Sequence, residues 1–552
     1  MFIRNLIQKI LCEVNPKGNF KNILNNIRKD ILAGITVGII ALPLAIAFGE
    51  MSLLGPEAGI WGAIIGGVIG GIFGGCTISV SGPTAPTASQ IAILMTGFIV
   101  SSSGQSDVDA IFSIIFLSGL IIIGFSFLNI SKFIHYIPYS VVAGFMCGIG
   151  IIVILSQIKS FLGIHSFSEI EKFDQNTLLI GIPSLFIMFF WKRIKSISEF
   201  LDYIPAPLVS LIFGTGIAYF LNLNISLVGD RIIDSEQASL FTLYKPDFSR
   251  IKEFIIPALS LAGLVSIDSL LTCKIADNMI GSKHKSNQEV FGQGFANMLC
   301  GLLGGAPTAT ATMFTVSNIK FGAKTVLSSI VYGLTLFAIL FGFKFLVESI
   351  PLACIAAILF KIGFDIMDYR ILPILKRLPL SDILIFAIVL LITVFGDLIV
   401  AVGIGVIISS LIQIKNFRLK YYHKFIHISE SSLNSKFKKT ETFSKIPVYV
   451  LEPHGALFFG SIQSLLNSYD LNIDNDLLLV DLTNVDAIDL TSAFAFEDFI
   501  NILSHKNIKI NFLNIKSNVS KTLEKLKLNE KFEIKLDQKL LFEKIVEKYD
   551  LR

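Results

Sequence analysis

Ser79-Val-Ser-Gly-Pro-Thr-Ala-Pro-Thr-Ala-Ser89 and Gly304-Gly-Ala-Pro-Thr-Ala-Thr-Ala-Thr-Met313 are the two stretches on which the fold of this chain turns. Both interrupt apolar sequence with small residues, a proline, and then threonine alternating with alanine. A matched pair of short, Gly/Pro-broken segments in corresponding halves of a hydrophobic chain points to an inverted repeat whose discontinuous helices meet in mid-membrane. The first N–H groups of a helix that starts there have no partner within the helix. Two such starts facing each other therefore form a positive cradle for an anion. Proline suits the first turn, where its missing N–H removes nothing. Thr84, Thr87, Thr310 and Thr312 add hydroxyl donors. Close packing of small residues explains either stretch alone; the recurrence of the pattern favours the cradle.

The rest of the composition agrees with a membrane setting. Of 552 residues, 53% are hydrophobic and only 16% charged, with 47 Phe and a mean hydropathy of +0.70. Soluble domains carry about a quarter charged residues, so a polytopic membrane protein is expected. The net charge of +4 is small, no basic stripe interleaved with aromatics stands out, and no nucleic-acid partner is expected. Cys12, Cys76, Cys147, Cys273, Cys300 and Cys354 are scattered without a CxxC pair, which supports neither a transition-metal site nor a disulfide framework. Residues 1–30 mix charges with apolar residues and read as a cytoplasmic amphipathic segment on the membrane surface rather than a secretory leader.

Apolar spans are expected near 31–49, 57–74, 83–100, 111–128, 138–158, 176–191, 205–222, 254–276, 289–304, 309–318, 323–345, 350–362, 381–397 and 398–414. That makes about fourteen elements, several too short to cross alone. With a cytoplasmic N-terminus, the clusters Arg4/Lys9/Lys17/Lys21/Arg28/Lys29, Lys192/Arg193/Lys195, Lys283/Lys285 and Arg370/Lys376/Arg377 all fall inside. The segments 101–109 and 223–253 fall outside. The transmembrane domain is thus read as 31–414, followed by a Lys/Ser/Asn-rich linker at 415–445. In 446–552, short strands alternate with helical stretches of 10–15 residues, the pattern of a small cytoplasmic α/β domain.

Asp268, in Leu261-Ala-Gly-Leu-Val-Ser-Ile-Asp-Ser-Leu-Leu-Thr-Cys, is the outstanding charge inside a span. A carboxylate there costs about 2.5–3.5 kcal/mol on insertion scales and is a functional candidate by default. Thr272 lies four residues on and shares its helix face, so the two offer oxygens to a hard monovalent cation such as Na⁺. The same carboxylate also suits a proton carrier, or a structural Asp bonded to a neighbouring helix. Asp397 reads as a helix cap between two spans; Glu50 and Glu289 lie near span ends, where solvation is expected.

Taken in order, Ala41-Leu-Pro-Leu-Ala-Ile-Ala-Phe48, SVSGPTAPT, SIDSLLT, NQEVFGQGFANM and Leu477-Leu-Leu-Val-Asp-Leu-Thr-Asn-Val-Asp-Ala-Ile-Asp489 resemble the sulfate permease family of anion transporters with its C-terminal STAS domain. The resemblance covers essentially the whole chain. It implies a seven-plus-seven inverted repeat in which a core moves against a gate, a homodimer, a bacterial inner-membrane location, and an anion held between the third and tenth spans at Thr84 and Thr310-Ala311-Thr312, with Phe48 lining the pocket. The version with Asp in IDSLLT most resembles sodium-dependent bicarbonate transporters of cyanobacteria, in which the residues matching Asp268 and Thr272 bind Na⁺ beside the anion. The pattern departs at Thr310, where the family begins with glycine. In the STAS-like domain, Thr491 sits near a phosphorylated position of related domains, but Asp489-Leu-Thr-Ser-Ala reads as a structural turn, so no modification is assigned.

Three functional expectations follow: Na⁺-coupled uptake of bicarbonate by alternating access, with no cofactor beyond the coupling ion; H⁺-coupled sulfate permeation or uncoupled anion exchange; and an anion sensor signalling through its cytoplasmic domain. An enzyme is the weakest reading, since no nucleophile–base set appears.

Overall fold

The computed structural model describes residues 16–20, 23–98, 107–128, 138–164, 173–195, 206–233, 243–280, 282–342, 345, 348–367, 380–396, 398–414, 422–427, 448–457, 477–505, 508–513 and 515–525. The first half holds α1 (Ile27–Met51), α2 (Pro56–Ile65), β1 (Ser81–Gly82), α3 (Ala85–Gly97), α4 (Val108–Phe127), α5 (Tyr139–Leu162), α6 (Gln175–Lys195) and α7 (Ala206–Phe220). The second holds α8 (Ile251–Ile280), α9 (Ser286–Leu303), β2 (Ala309–Thr310), α10 (Thr312–Lys320), α11 (Leu327–Gly342), α12 (Leu352–Ile366), α13 (Leu380–Phe395) and α14 (Leu398–Ile414). The expected spans and the observed helices agree to within a few residues along most of the chain.

The helices sort into two packed groups. α1 to α4 pack with α8 to α11, chiefly through α4 on α9 and α1 on α11. α5 to α7 pack with α12 to α14, chiefly through α5 on α12 and α13. Gly119 of α4 and Gly294 of α9 meet so closely that a Cβ on either would lie within 3 Å of the other helix's backbone. This close approach of backbones is how membrane helices gain contact without a hydrophobic driving force. Among the described residues, five helices are long and apolar enough to cross a membrane by themselves.

α3 and α10, the helices that follow the two broken stretches, have 13 and 9 residues. At 1.5 Å per residue they reach only about 20 and 14 Å, against a hydrocarbon layer of about 30 Å. Each is completed by the stretch of extended chain before it. β1 and β2 pair antiparallel, Ser81 with Thr310 and Gly82 with Ala309. Ala311 N donates to Val80 O at 3.0 Å. Non-helical backbone at this depth is tolerated because the two halves satisfy each other. The pairing needs room: α2 continues through a π turn at Gly66–Gly70, and a Cβ on Gly66 would stand 2.2 Å from Thr308 Oγ1.

Ahead of α1, the chain makes 3₁₀ turns at Pro16–Phe20 and Ile23–Asn26; the rest of the surface segment read there, residues 1–15 and 21–22, lies outside the described residues. Asn19 is buried, and its Nδ2 donates to Gly74 O at 2.8 Å and Ile72 O at 3.1 Å, tying the first turn to the end of the α2 extension. Asp30, fully buried, accepts from Lys324 N (2.8 Å) and Thr325 Oγ1 (2.5 Å) and thereby holds the approach to α11. On the other side, Asp107 caps α4 through Ala110 N at 3.0 Å and pairs with Arg250 at 2.6 Å.

The C-terminal domain is a mixed sheet of β3 (Tyr422–His427), β4 (Val448–Leu457), β5 (Leu477–Asp481), β6 (Val485–Ile488) and β7 (Lys509–Leu513) with helices α15 (Leu490–His505) and α16 (Ser517–Lys525). The strand order is β3-β4-β5-β7, with β6 also on β4. β3 corrects the linker boundary: residues 422–427, read as linker, add an antiparallel edge strand to β4. Asp489 Oδ1 accepts from Ser492 N at 2.7 Å, so the Asp489-Leu-Thr-Ser turn opens α15. Thr491 then docks the domain, its Oγ1 accepting from Tyr139 N at 3.0 Å while the rings of Tyr139 and Phe494 lie 4.6 Å apart. Ala143, Cys147 and Phe386 of the membrane domain share the apolar cluster of this sheet. The cap expected at Asp397 and the Arg370/Lys376/Arg377 cluster lie outside the described residues.

Candidate functional site

α8 runs past both short helices and touches the start of each with a hydroxyl or carboxylate. Thr84, extended at φ −126° and ψ 159°, is the N-cap of α3. Its backbone N–H donates to Thr87 Oγ1 at 3.1 Å, which fixes the turn. Its own hydroxyl donates to Asp268 Oδ2 at 2.7 Å. One helical turn further along α8, Thr272 Oγ1 lies 2.7 Å from Thr312 Oγ1 on the first residue of α10. Between them, Ser269 Oγ accepts from Thr310 N at 3.1 Å. The i, i+4 spacing that put Asp268 and Thr272 on one face thus places one at each helix start. Thr84 and Thr272 are buried at 8% and 1% exposure; Asp268 and Thr312 are partly buried.

Ala311, also buried, is the N-cap of α10 and brings no side-chain cap. The N–H groups of Thr312, Met313 and Phe314 have no acceptor within the helix, and Thr315 N is the first to close onto Ala311 O, at 3.0 Å. Phe48 is buried in α1, a helix that packs against both α3 and α10.

Three expectations need correction. Thr310 does not turn its hydroxyl toward α8. Fully buried, it donates to Glu289 Oε1 at 2.5 Å and lies 2.9 Å from Gln293 Nε2, a donor to it. Its contribution facing α8 is the backbone N–H. Thr87 is similarly occupied, donating to Thr84 O at 3.0 Å. Glu289 is not solvated: it is fully buried and accepts from Gly75 N (2.8 Å), Cys76 N (3.0 Å), Gln293 Nε2 (2.9 Å) and Thr310 Oγ1. Four donors satisfy a carboxylate in place of water. Asn297, four residues beyond Gln293, brackets Thr308 with an amide, donating to its carbonyl (2.7 Å) and accepting from its N–H (3.0 Å). The sequence carried a signal for this scaffold: Glu289, Gln293 and Asn297 repeat every four residues, a polar stripe along one face of an apolar helix.

This arrangement offers two kinds of chemistry side by side. Asp268 and Thr272 supply oxygens suited to a hard cation, while the starts of α3 and α10 supply donors suited to an anion. Among the described residues, no group of three or more His, Cys, Asp or Glu is placed to hold a metal ion.

Comparison with known proteins bears on the fold and the transported class. The Sulfate permease family model matches residues 27–389 and the STAS domain model matches 438–540. The bicarbonate transporter BicA of Picosynechococcus sp. is 33% identical over 525 residues, covering 91% of each chain. The putative sulfate transporter YvdB of Bacillus subtilis is 27% identical, covering 93% of this chain and 96% of its own. The solved transmembrane domain of a cyanobacterial bicarbonate transporter, BicA, superposes with a TM-score of 0.61 at 33% identity, over 70% of this chain and 98% of that one. With the discontinuous helices, the paired strands between them and the C-terminal sheet all in place, this chain belongs to the sulfate permease family, as an anion transporter carrying a STAS domain.

Proposed function

We propose that the protein couples Na⁺ entry to uptake of bicarbonate by alternating access, as a homodimer in the bacterial inner membrane with its N-terminus and STAS domain in the cytoplasm. The observation that carries this reading is the one-to-one pairing of Asp268 with Thr84 and Thr272 with Thr312. Na⁺ takes oxygens of Asp268 and Thr272. The anion takes Thr84, Thr312 and the backbone donors around Ala311 and Thr310, beside Phe48. An unneutralised Asp268 would repel an anion held nearby, by about 4 kcal/mol for unit charges 4 Å apart at an effective dielectric near 20. Cation and anion therefore favour each other's binding. Identity to BicA over nearly the full chain supports bicarbonate as the anion. The two packed helix groups supply the bodies that rock against each other.

Labelled bicarbonate and sulfate uptake into proteoliposomes, with and without an inward Na⁺ gradient, tests the reading. Bicarbonate accumulation that requires Na⁺ is expected. Sulfate accumulation driven by a pH gradient and indifferent to Na⁺ would replace it with H⁺-coupled sulfate transport, in which Asp268 carries the proton. A sensor of little turnover predicts neither flux.

A further inference from the structure

Resting on the Na⁺-coupled reading above, we infer that the coupling is transmitted by the direction of two hydroxyl protons, those of Thr84 and Thr312, switched from α8 toward the anion when the cation binds. Each hydroxyl has one proton to give. That of Thr84 is given to Asp268 Oδ2. Asp268, an acceptor when ionised, has no proton to return. A cation on this carboxylate competes for the oxygens that hold the Thr84 proton and weakens their pull on it. The Thr84 backbone stays fixed by Thr87 Oγ1, so the hydroxyl responds by rotating, and its proton becomes a donor to the anion.

The second pair works in the complementary sense. Thr272 and Thr312 share one hydrogen bond, and either oxygen can supply the proton. A cation on Thr272 Oγ1 draws that oxygen's lone pairs and turns its O–H outward, so Thr272 donates to Thr312. The proton of Thr312 is then released toward the space at the α10 start. In both pairs the cation ligand on α8 and the anion donor on a short helix are joined by a single bond, and cation occupancy aims both donors the same way. No displacement of helices is required. Conversely, an anion that accepts from Thr84 and Thr312 leaves Asp268 and Thr272 better able to bind the cation, as reciprocity demands.

Simple attraction between the two bound ions would also couple them, and valine separates the two mechanisms. Thr84→Val and Thr312→Val keep the β-branched shape and remove the proton. ²²Na⁺ binding to the purified full-length protein, measured without anion and with saturating bicarbonate or sulfate, gives the coupling factor as the ratio of the two apparent Kd values. In the wild type we expect a factor within the usual range of about 5–150-fold. Each valine variant should reduce it, the double variant should reduce it further to the part carried by charge alone, and Thr84→Ser and Thr312→Ser should restore it. Direct anion binding by the hydroxyls without switching would weaken the anion equally in both cation states and leave the factor unchanged; that result overturns the inference. Independent binding of Na⁺ and anion in the wild type also overturns it, while absence of any Na⁺ binding removes the Na⁺-coupled reading itself. Thr84→Ala and Thr312→Ala give the same readout if a valine variant fails to fold.

Discussion

The two half-helix starts look alike in sequence and differ in how they are finished. α3 opens on Thr84, whose N–H is closed by Thr87, and Pro86 removes a further donor from its first turn. α10 opens on Ala311 with no side-chain cap and no proline in its first turn. The α3 start is a built corner that presents one hydroxyl, already engaged by Asp268. The α10 start is bare backbone, with the Thr312 hydroxyl sharing one hydrogen bond with Thr272 of α8. A symmetric motif has thus become an asymmetric one: the carboxylate meets the α3 start, and the uncapped backbone donors lie at the α10 start.

Four substitutions break or sharpen that contrast. Asp268→Asn removes the charge on the α3 side, and Na⁺-dependent uptake should fall to the level seen without Na⁺. Apparent Na⁺ affinity should drop roughly a hundredfold or more, given interactions of several kcal/mol at this range. Full Na⁺ stimulation in this variant would end the cation assignment. Glu289→Ala strands the buried donors that hold β2 and the Gly74–Cys76 turn, at about 1–3 kcal/mol for each one left unsatisfied. A lower unfolding temperature in detergent is expected, with Glu289→Gln milder; an unchanged melting curve would show the network to be dispensable.

Ala311→Ser gives α10 the cap it lacks. A capping oxygen at an N-terminus contributes about 1 kcal/mol, and here it competes with the anion for the same N–H groups. The anion KM should rise roughly fivefold, since 1.4 kcal/mol is tenfold, with the Na⁺ KM less affected. A lower anion KM would mean that the new hydroxyl donates instead, and that the α10 backbone was never the binding surface. Thr310→Val has the smallest transport effect. Its hydroxyl serves Glu289, so it should lose about 1 kcal/mol of stability while the anion KM stays close to wild type. A KM change as large as that of Thr312→Val would restore Thr310 to the lining of the site.

Most of the fold was legible because its signals are local. Hydropathy placed the helices, and the Pro-Thr-Ala repeats marked α3 and α10, since a broken helix must advertise its break with residues that tolerate one. That Asp268 and Thr272 share one helix face followed from their spacing along a single helix. What sequence reading missed depends on partners far along the chain. Glu289 sits close to the start of its helix, where water is the ordinary neighbour, and only the return of Gly75, Cys76 and Thr310 to its side makes it buried. The direction of the Thr310 hydroxyl is a choice between two faces of a strand, which alternation alone does not settle. β3 was hidden within a polar stretch because an edge strand needs no apolar run to pair with β4.

The β1–β2 crossing also bears on how the protein is made. Val80 finds Thr315 only 235 residues further along the chain. Ribosomes add about 5–20 residues per second, so the first half must wait on the order of ten to fifty seconds for the second. Throughout that interval the extended backbone before α3 lies in or near lipid with its partners unmade, a state that hydrocarbon penalises heavily. The nascent first half is therefore expected to depend on the insertion machinery or on water held around it until β2 arrives. Truncated chains ending before residue 304 should be cleared as unassembled protein, because the centre of this transporter exists only when both halves do.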